Sequence, residues 1–174
     1  MLATRRLFFL DETGLDTKMT RLRGRAQSGQ RVRGRVPHGH WKTSTFVAAL
    51  RQDRLLAPFV IDGSLNGAIF LEYVRQLLCP ELRCGDVVLL DNLSSHKVTG
   101  VREAIEATGA TLLYLPPYSP DLNPIEQAFA KLKALLRKAA ARTLPALWNA
   151  LTDCLHEFSE NDCSNFLRNT GYYM

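Results

Sequence analysis

Asp86-Val-Val-Leu-Leu-Asp91-Asn-Leu-Ser-Ser-His96-Lys97 opens the stretch that decides the fold, and Pro116-Pro-Tyr118-Ser-Pro120-Asp-Leu-Asn123-Pro124-Ile-Glu126 closes it. Val87 to Leu90 are four consecutive apolar residues bounded by Gly85 and Asp91-Asn92, a pattern that predicts a strand buried on both faces. A carboxylate at the exit of such a strand sits on a rigid scaffold yet reaches the solvent edge of the sheet. A second apolar run, Thr111 to Leu115, predicts another strand, after which a proline-rich loop delivers Glu126 into the first turn of a long helix. A third acid, Asp11, ends the short apolar run Leu7-Phe8-Phe9-Leu10.

Working outward, Arg6 to Asp11 is expected as the first strand, and residues 12–40 as an extended loop or irregular hairpin. Trp41 to Leu50, rich in β-branched and aromatic residues, predicts a second strand. Leu55 to Ile61 predicts a third, with Pro58 pointing to an irregularity or a sheet edge. Asn66 caps an amphipathic helix carrying Ile69, Phe70, Tyr73, Val74, Leu77 and Leu78, stopped by Pro80. Further helices are expected over Val98–Ala107, Pro124–Ala141, from Thr143 through Leu155, and near Glu160–Arg168. Three strands and a helix, then strand–helix–strand–helix, is an α/β order with an initial antiparallel meander. The expected architecture is a mixed five-stranded sheet with helices on both faces.

The 174 residues suit one domain, 1–174, with a sizeable core; 46% apolar and 22% charged residues are ordinary for a soluble protein. No apolar run approaches the ~20 residues of a membrane span, and the first ten residues are too short for a signal peptide. Cys79, Cys84, Cys154 and Cys163 match no zinc spacing and read as reduced, structural thiols of a cytosolic protein. The net charge of +5 is uneven: eight cations and no acid lie between Lys18 and Lys42, so that segment carries +8 and the remainder −3. A basic block on a mildly acidic body is an electrostatic footprint for a polyanion, against the plainer reading of a solvated loop. The glycines among the arginines, Gly24, Gly29 and Gly34, let backbone approach phosphate and favour nucleic acid.

Magnesium and manganese prefer carboxylate and water oxygens, and two-metal phosphoryl transfer needs about three acidic groups. Asp11, Asp91 and Glu126 supply that set if strands one and four are neighbours and the Glu126 helix packs across them. Taken singly each acid has a plainer role: Asp11 and Asp91 as polar strand ends, Glu126 as a capping-box partner in an Asn123-Pro124-Ile125-Glu126 helix start. Their combination with the basic block favours the metal reading. Lys133 and Arg137 fall within about 20° of Glu126 around the helix and form a row on which a duplex could rest, or simply complement the helix C-terminus. His96 either touches substrate phosphate or assists proton transfer, or else supports or caps its neighbours. The DNA-contact candidates are therefore Arg21, Arg23, Arg25, Arg31, Arg33, Arg35, Lys42, His96, Lys97, Lys133 and Arg137, with His38 and His40 as loop or DNA-contact residues.

Leu10-Asp11-Glu12, Leu90-Asp91-Asn92 with Ser95-His96, and above all Tyr118-Ser-Pro-Asp-Leu-Asn-Pro-Ile-Glu126 resemble the catalytic motifs of mariner-like bacterial insertion-sequence transposases, members of the DDE transposase and retroviral integrase superfamily. The 34 residues between Asp91 and Glu126 are similar to the spacing in that group, and the resemblance covers nearly the whole chain. It implies a ribonuclease-H-like fold and a Mg²⁺-dependent enzyme using two ions, with Mn²⁺ as a substitute. In that family scheme Asp11 bridges both ions and Asp91 and Glu126 hold one each. Water cleaves DNA at the element ends, and the freed 3′-hydroxyl attacks target DNA. The resemblance further implies DNA partners, a homodimer that pairs two ends, and a bacterial, nucleoid-associated location. Family members usually carry an N-terminal helix-turn-helix region, and only a few residues precede the first strand here. The expectation is thus a catalytic domain, the downstream half of a split gene whose N-terminal DNA-binding half is encoded separately, or a remnant. Two other readings compete: a ribonuclease-H-like nuclease that only hydrolyses, and a catalytically idle DNA-binding remnant.

Overall fold

A computed structural model describes residues 4–172, the side chains of Arg5, Ser94 and Ser95 excepted. Among the described residues, strands β1 (Leu7–Asp16), β2 (Thr43–Leu50), β3 (Leu55–Asp62), β4 (Val87–Leu90) and β5 (Thr111–Tyr114) form one sheet in the order β3-β2-β1-β4-β5. The runs that are apolar on both faces, Leu7–Leu10 and Val87–Leu90, take the inner positions, where both faces can be covered. β1 pairs antiparallel with β2 and parallel with β4; β2 pairs antiparallel with β3, and β4 parallel with β5. The expected mixed sheet, with strands one and four adjacent, is what the chain forms.

Each face carries its own core. On one side Leu7, Phe9, Leu15 and Phe46 pack with Ile125, Phe129, Leu132 and Leu136 of α3 (Ile125–Ala139), and with α4 (Leu144–Leu155) and α5 (Glu160–Asn169). On the other, Phe8, Leu10, Val88 and Leu90 pack with Phe70, Tyr73, Val101 and Ile105 from α1 (Gly67–Tyr73) and α2 (Val101–Glu106). The alternation of strand side chains between faces produces this split.

Several bounds differ from expectation for local reasons. β1 runs five residues past Asp11, because β2 continues to pair with it as far as Asp16↔Thr43 after β4 has stopped at Leu90. Asp11 therefore lies within a strand rather than at its end, at the point where β1 loses its parallel neighbour. The first helix is capped by Asn66, whose side chain accepts from the Ile69 N–H at 3.0 Å, but it continues beyond Tyr73 as a π-helical turn, Val74–Leu78. α2 starts three residues later than the apolar spacing suggests, since Gly100 takes a left-handed conformation (φ +97) ahead of it. The segment before it is a 3-10 turn, Ser94–Lys97. Pro58 lies in the marginal strand β3, where the pairing with β2 shifts register beside Ala57 (φ +46). Gly109 (φ +81) ends the α2 segment where an added Cβ would meet the Cys84 backbone at 3.1 Å, so turn geometry and close packing both require glycine.

Between β1 and β2, residues 17–42 form no regular element, and every residue from 21 to 36 is exposed. The base of this arm is fixed. The Thr17 N–H donates to the Lys42 carbonyl at 3.2 Å, Arg142 donates to the carbonyls of Thr17 and Met19, and the Lys18 ammonium lies 4.1 Å from the Trp41 ring centre.

Candidate active site

The parallel register Leu10↔Leu90 brings Asp11 and Asp91 side by side at the next step along neighbouring strands. By the two-residue alternation, both belong to the face that carries Phe9 and Leu89, against which α3 packs. Glu126 lies in the first turn of α3, and the buried residues Ile125, Ala128, Phe129 and Leu132 dock that helix on the sheet. All three acids line one cavity of about 350 Å³, walled by Asn92, Leu93, Asn123 and the loop from Leu115 to Pro120. The sequence's 34-residue separation has closed into a single site.

Asp11 is 7% exposed. One of its oxygens accepts from the Glu12 N–H at 2.8 Å, and the other from the Asn123 side-chain amide at 2.8 Å. Burial first, then the charges of Asp91, Glu12 and Glu126, raise its pKa to about 7. Asp91 accepts from the Leu93 N–H at 3.1 Å and from His96 Nδ1 at 2.5 Å. The other nitrogen of His96, Nε2, lies 2.7 Å from Glu12, and the ring packs on Phe70 with centres 4.5 Å apart. Burial alone would lower the His96 pKa, but Glu12 and Asp91 outweigh it and raise it, favouring the protonated ring between the two carboxylates.

This placement corrects one expectation. His96 is 0% exposed and cannot touch DNA; it joins Asp91 to Glu12 from beneath the site. The capping box is likewise not formed. No side chain caps α3, and Asn123 turns its amide to Asp11 instead, leaving its buried Oδ1 without a partner. Glu126 is thereby left facing the cavity. Glu12 and Asn123 are the two residues whose roles the sequence did not disclose. Both lie inside quoted motifs, but only the tertiary pairing of β1 with the 94–97 turn and with the 120–123 turn gives them partners.

Asp11, Asp91 and Glu126 on one cavity, with Glu12 behind His96, concentrate carboxylates at the site, and hard oxygen donors suit a hard divalent cation. The raised pKa of Asp11 fits the same conclusion, because a bound cation would favour the ionised form that burial first, and the neighbouring acids after it, disfavour. Among the described residues no three His, Cys, Asp or Glu side chains form a ready-made cation cage. The acids instead face a shared open cavity.

The candidate DNA contacts are dispersed. Arg21, Arg23, Arg25, Arg31, Arg33 and Arg35 project from the exposed arm, and exposed Lys42 stands at its base. Lys97 is exposed beside the Tyr114 ring, 5.5 Å from its centre. Lys133 and Arg137 are half-buried on α3 and, among the described residues, form no ion pair. The described residues contain no helix long and apolar enough to cross a membrane.

Residues 6–147 match the family model described as DDE superfamily endonuclease. No curated protein matches the sequence. Among solved structures, the Mos1 mariner paired-end complex with Mn is similar at TM-score 0.74 and 17% identity over 97% of this chain and 53% of that one. The paired-end complex with Mg gives 0.73 and 19%, over 96% and 52%. The catalytic domain of Mos1 mariner transposase gives 0.70 and 15%, over 96% and 78%. The chain thus spans about half the length of the Mos1 chains in the paired-end complexes, and at these identities the likeness speaks for the fold, which is ribonuclease-H-like.

Proposed function

The chain belongs to the DDE superfamily of endonucleases, and on that premise we propose that it is the catalytic domain of a mariner-like insertion-sequence transposase, cutting DNA at element ends and joining the freed 3′ ends to target DNA. The observation that carries this reading is the meeting of Asp11, Asp91 and Glu126 on one cavity. These three residues would hold divalent ions, two Mg²⁺ with Mn²⁺ able to substitute, as Mg and Mn complexes of Mos1 suggest by analogy. When bound, the ions supply Lewis-acid charge for the attacking and leaving oxygens of an in-line displacement.

The protein's own contribution is positioning. Asn123 and the Glu12 N–H fix both oxygens of Asp11, while His96 and the Leu93 N–H fix Asp91. β1 and β4 set the spacing of the two aspartates, and the packed face of α3 sets Glu126. The arm cations and Lys42, Lys97, Lys133 and Arg137 would carry the phosphate backbone on either side of the scissile bond. Pairing of two element ends calls for a homodimer, and end recognition for a DNA-binding region of the kind a separate N-terminal half would supply. The proposed setting is the bacterial cytoplasm, at the nucleoid.

The test is nicking and joining of supercoiled plasmid by the purified chain in Mg²⁺ or Mn²⁺, beside Asp91→Asn. Loss of activity in the variant, with circular dichroism and DNA binding retained, is the expected result, and joined product distinguishes a transposase from a plain nuclease. Tight DNA binding with neither nicking nor joining in any divalent ion would sink the catalytic reading.

A further inference from the structure

Tyr118 is the most exposed large apolar residue among those described, at 102%, and it sits in the wall of the carboxylate cavity. Its backbone is left-handed, φ +57, a conformation that costs a bulky side chain on the order of 1–3 kcal/mol and persists only where the surroundings enforce it. Those surroundings are stiff: Pro116, Pro117 and Pro120 fix φ on either side, and the Ser119 hydroxyl donates to the Pro117 carbonyl at 3.3 Å. A rigid loop that spends strain to hold an aromatic ring in solvent is poised for something outside the chain. A second exposed apolar side chain, Leu93, at 49%, lines the same cavity.

Phosphate gains nothing from an apolar lip, whereas a nucleobase has a π-face that stacks on a tyrosine ring. In an intact duplex both faces of each base are covered by its neighbours. A ring at this position finds a free face only on an unpaired, extruded or terminal nucleotide. We propose that Tyr118 stacks on the base beside the scissile phosphate, with Leu93 lining the same cavity, so that the site selects an unpaired nucleotide at the reacting position. This deepens the transposase reading and rests on it for DNA as the substrate. Tyr118 is here a specificity-determining residue, and the carboxylates remain the chemical centre.

The test uses two short duplexes of one sequence, with 2-aminopurine flanking the reacting phosphate either in an unpaired tip or in a fully paired end. They are titrated in Ca²⁺ buffer with the wild type, Tyr118→Phe and Tyr118→Asn. Asparagine tolerates the left-handed backbone and so removes the ring without refolding the loop. Wild type and Tyr118→Phe are expected to quench the unpaired probe and to bind it about tenfold more tightly than the paired one. In Tyr118→Asn the quench disappears and the preference falls to within about twofold, with affinity for the paired duplex unchanged. Quenching and preference retained in Tyr118→Asn would overturn the proposal. Joint neutralisation of Arg31, Arg33 and Arg35 should weaken both duplexes equally. If no protein binds either duplex, DNA as the substrate is what fails, an outcome distinct from DNA binding that ignores Tyr118.

Discussion

Burial and neighbouring carboxylates raise Asp11 to about 7 in a protein whose unfolded chain would titrate that group near 3.8. An acid whose folded pKa lies above its unfolded value binds a proton in the native state that the unfolded chain has already released. Its contribution to stability is therefore undiminished below pH 4 and declines as pH rises from about 4 to about 7. Asp11→Asn should remove this cost. In metal-free buffer the variant is expected to melt above wild type at pH 8 but not at pH 4, by at most about 4 kcal/mol. Mg²⁺ or Mn²⁺ should raise the melting temperature of wild type alone. Thermal scans across pH with and without the ion check both statements. Asn123→Ala removes a hydrogen bond to a buried carboxylate, and a loss of about 1.5–3 kcal/mol is expected in urea melts at pH 7. The proposed strand-transfer activity should fall with it, because Asp11 loses one of its two fixed contacts.

At the level of elements, the start of α5 is held by a reciprocal cap that can be tested. Ser159 accepts from the Asp162 N–H, and Asp162 accepts in return from the Ser159 N–H. Ser159→Ala should cost about 1 kcal/mol, a fall of roughly 3 °C in Tm. Asp162 also meets Lys131 of α3 at 2.9 Å. Lys131 first, then Ser159, lower its pKa to about 2. A depressed acid stabilises the fold above its unfolded pKa and loses that contribution as pH falls from about 4 to about 2. The Tm difference between wild type and Asp162→Asn should accordingly shrink as pH is lowered from about 4 towards about 2. Strands, helices and the acid triad were legible because buried strands and amphipathic helices impose short periods that a sequence shows directly. The roles of Asn123 and Glu12 were not legible, and for His96 the sequence left a supporting role open beside substrate contact. Asn123 before Pro124 has the local signature of a helix cap, and only the approach of β1 offers its amide a buried carboxylate instead. His96 lies in a short polar turn that reads as exposed, and its burial comes from Phe70 and Glu12, which are distant in sequence.

For the whole molecule, charge and stability are separable. The arm holds Arg21 to Arg35 in full exposure, while its base is closed by backbone and Arg142 contacts. Neutralising Arg31, Arg33 and Arg35 together should leave Tm unchanged and reduce the slope of log affinity against log salt by about 3. Fluorescence anisotropy at several salt concentrations measures it. A change in Tm without a change in slope would place those cations in the fold rather than at the DNA.

The sheet order has a consequence for how the chain comes into being. β1 is made early, but its parallel partner β4 follows some seventy residues later, and Glu126 later still. A growing polypeptide therefore carries Asp11 long before it can assemble the other two acids around it. A chain interrupted before Glu126 lacks one of the three acids that line the cavity, so synthesis itself would delay the proposed chemistry until most of the protein has been made.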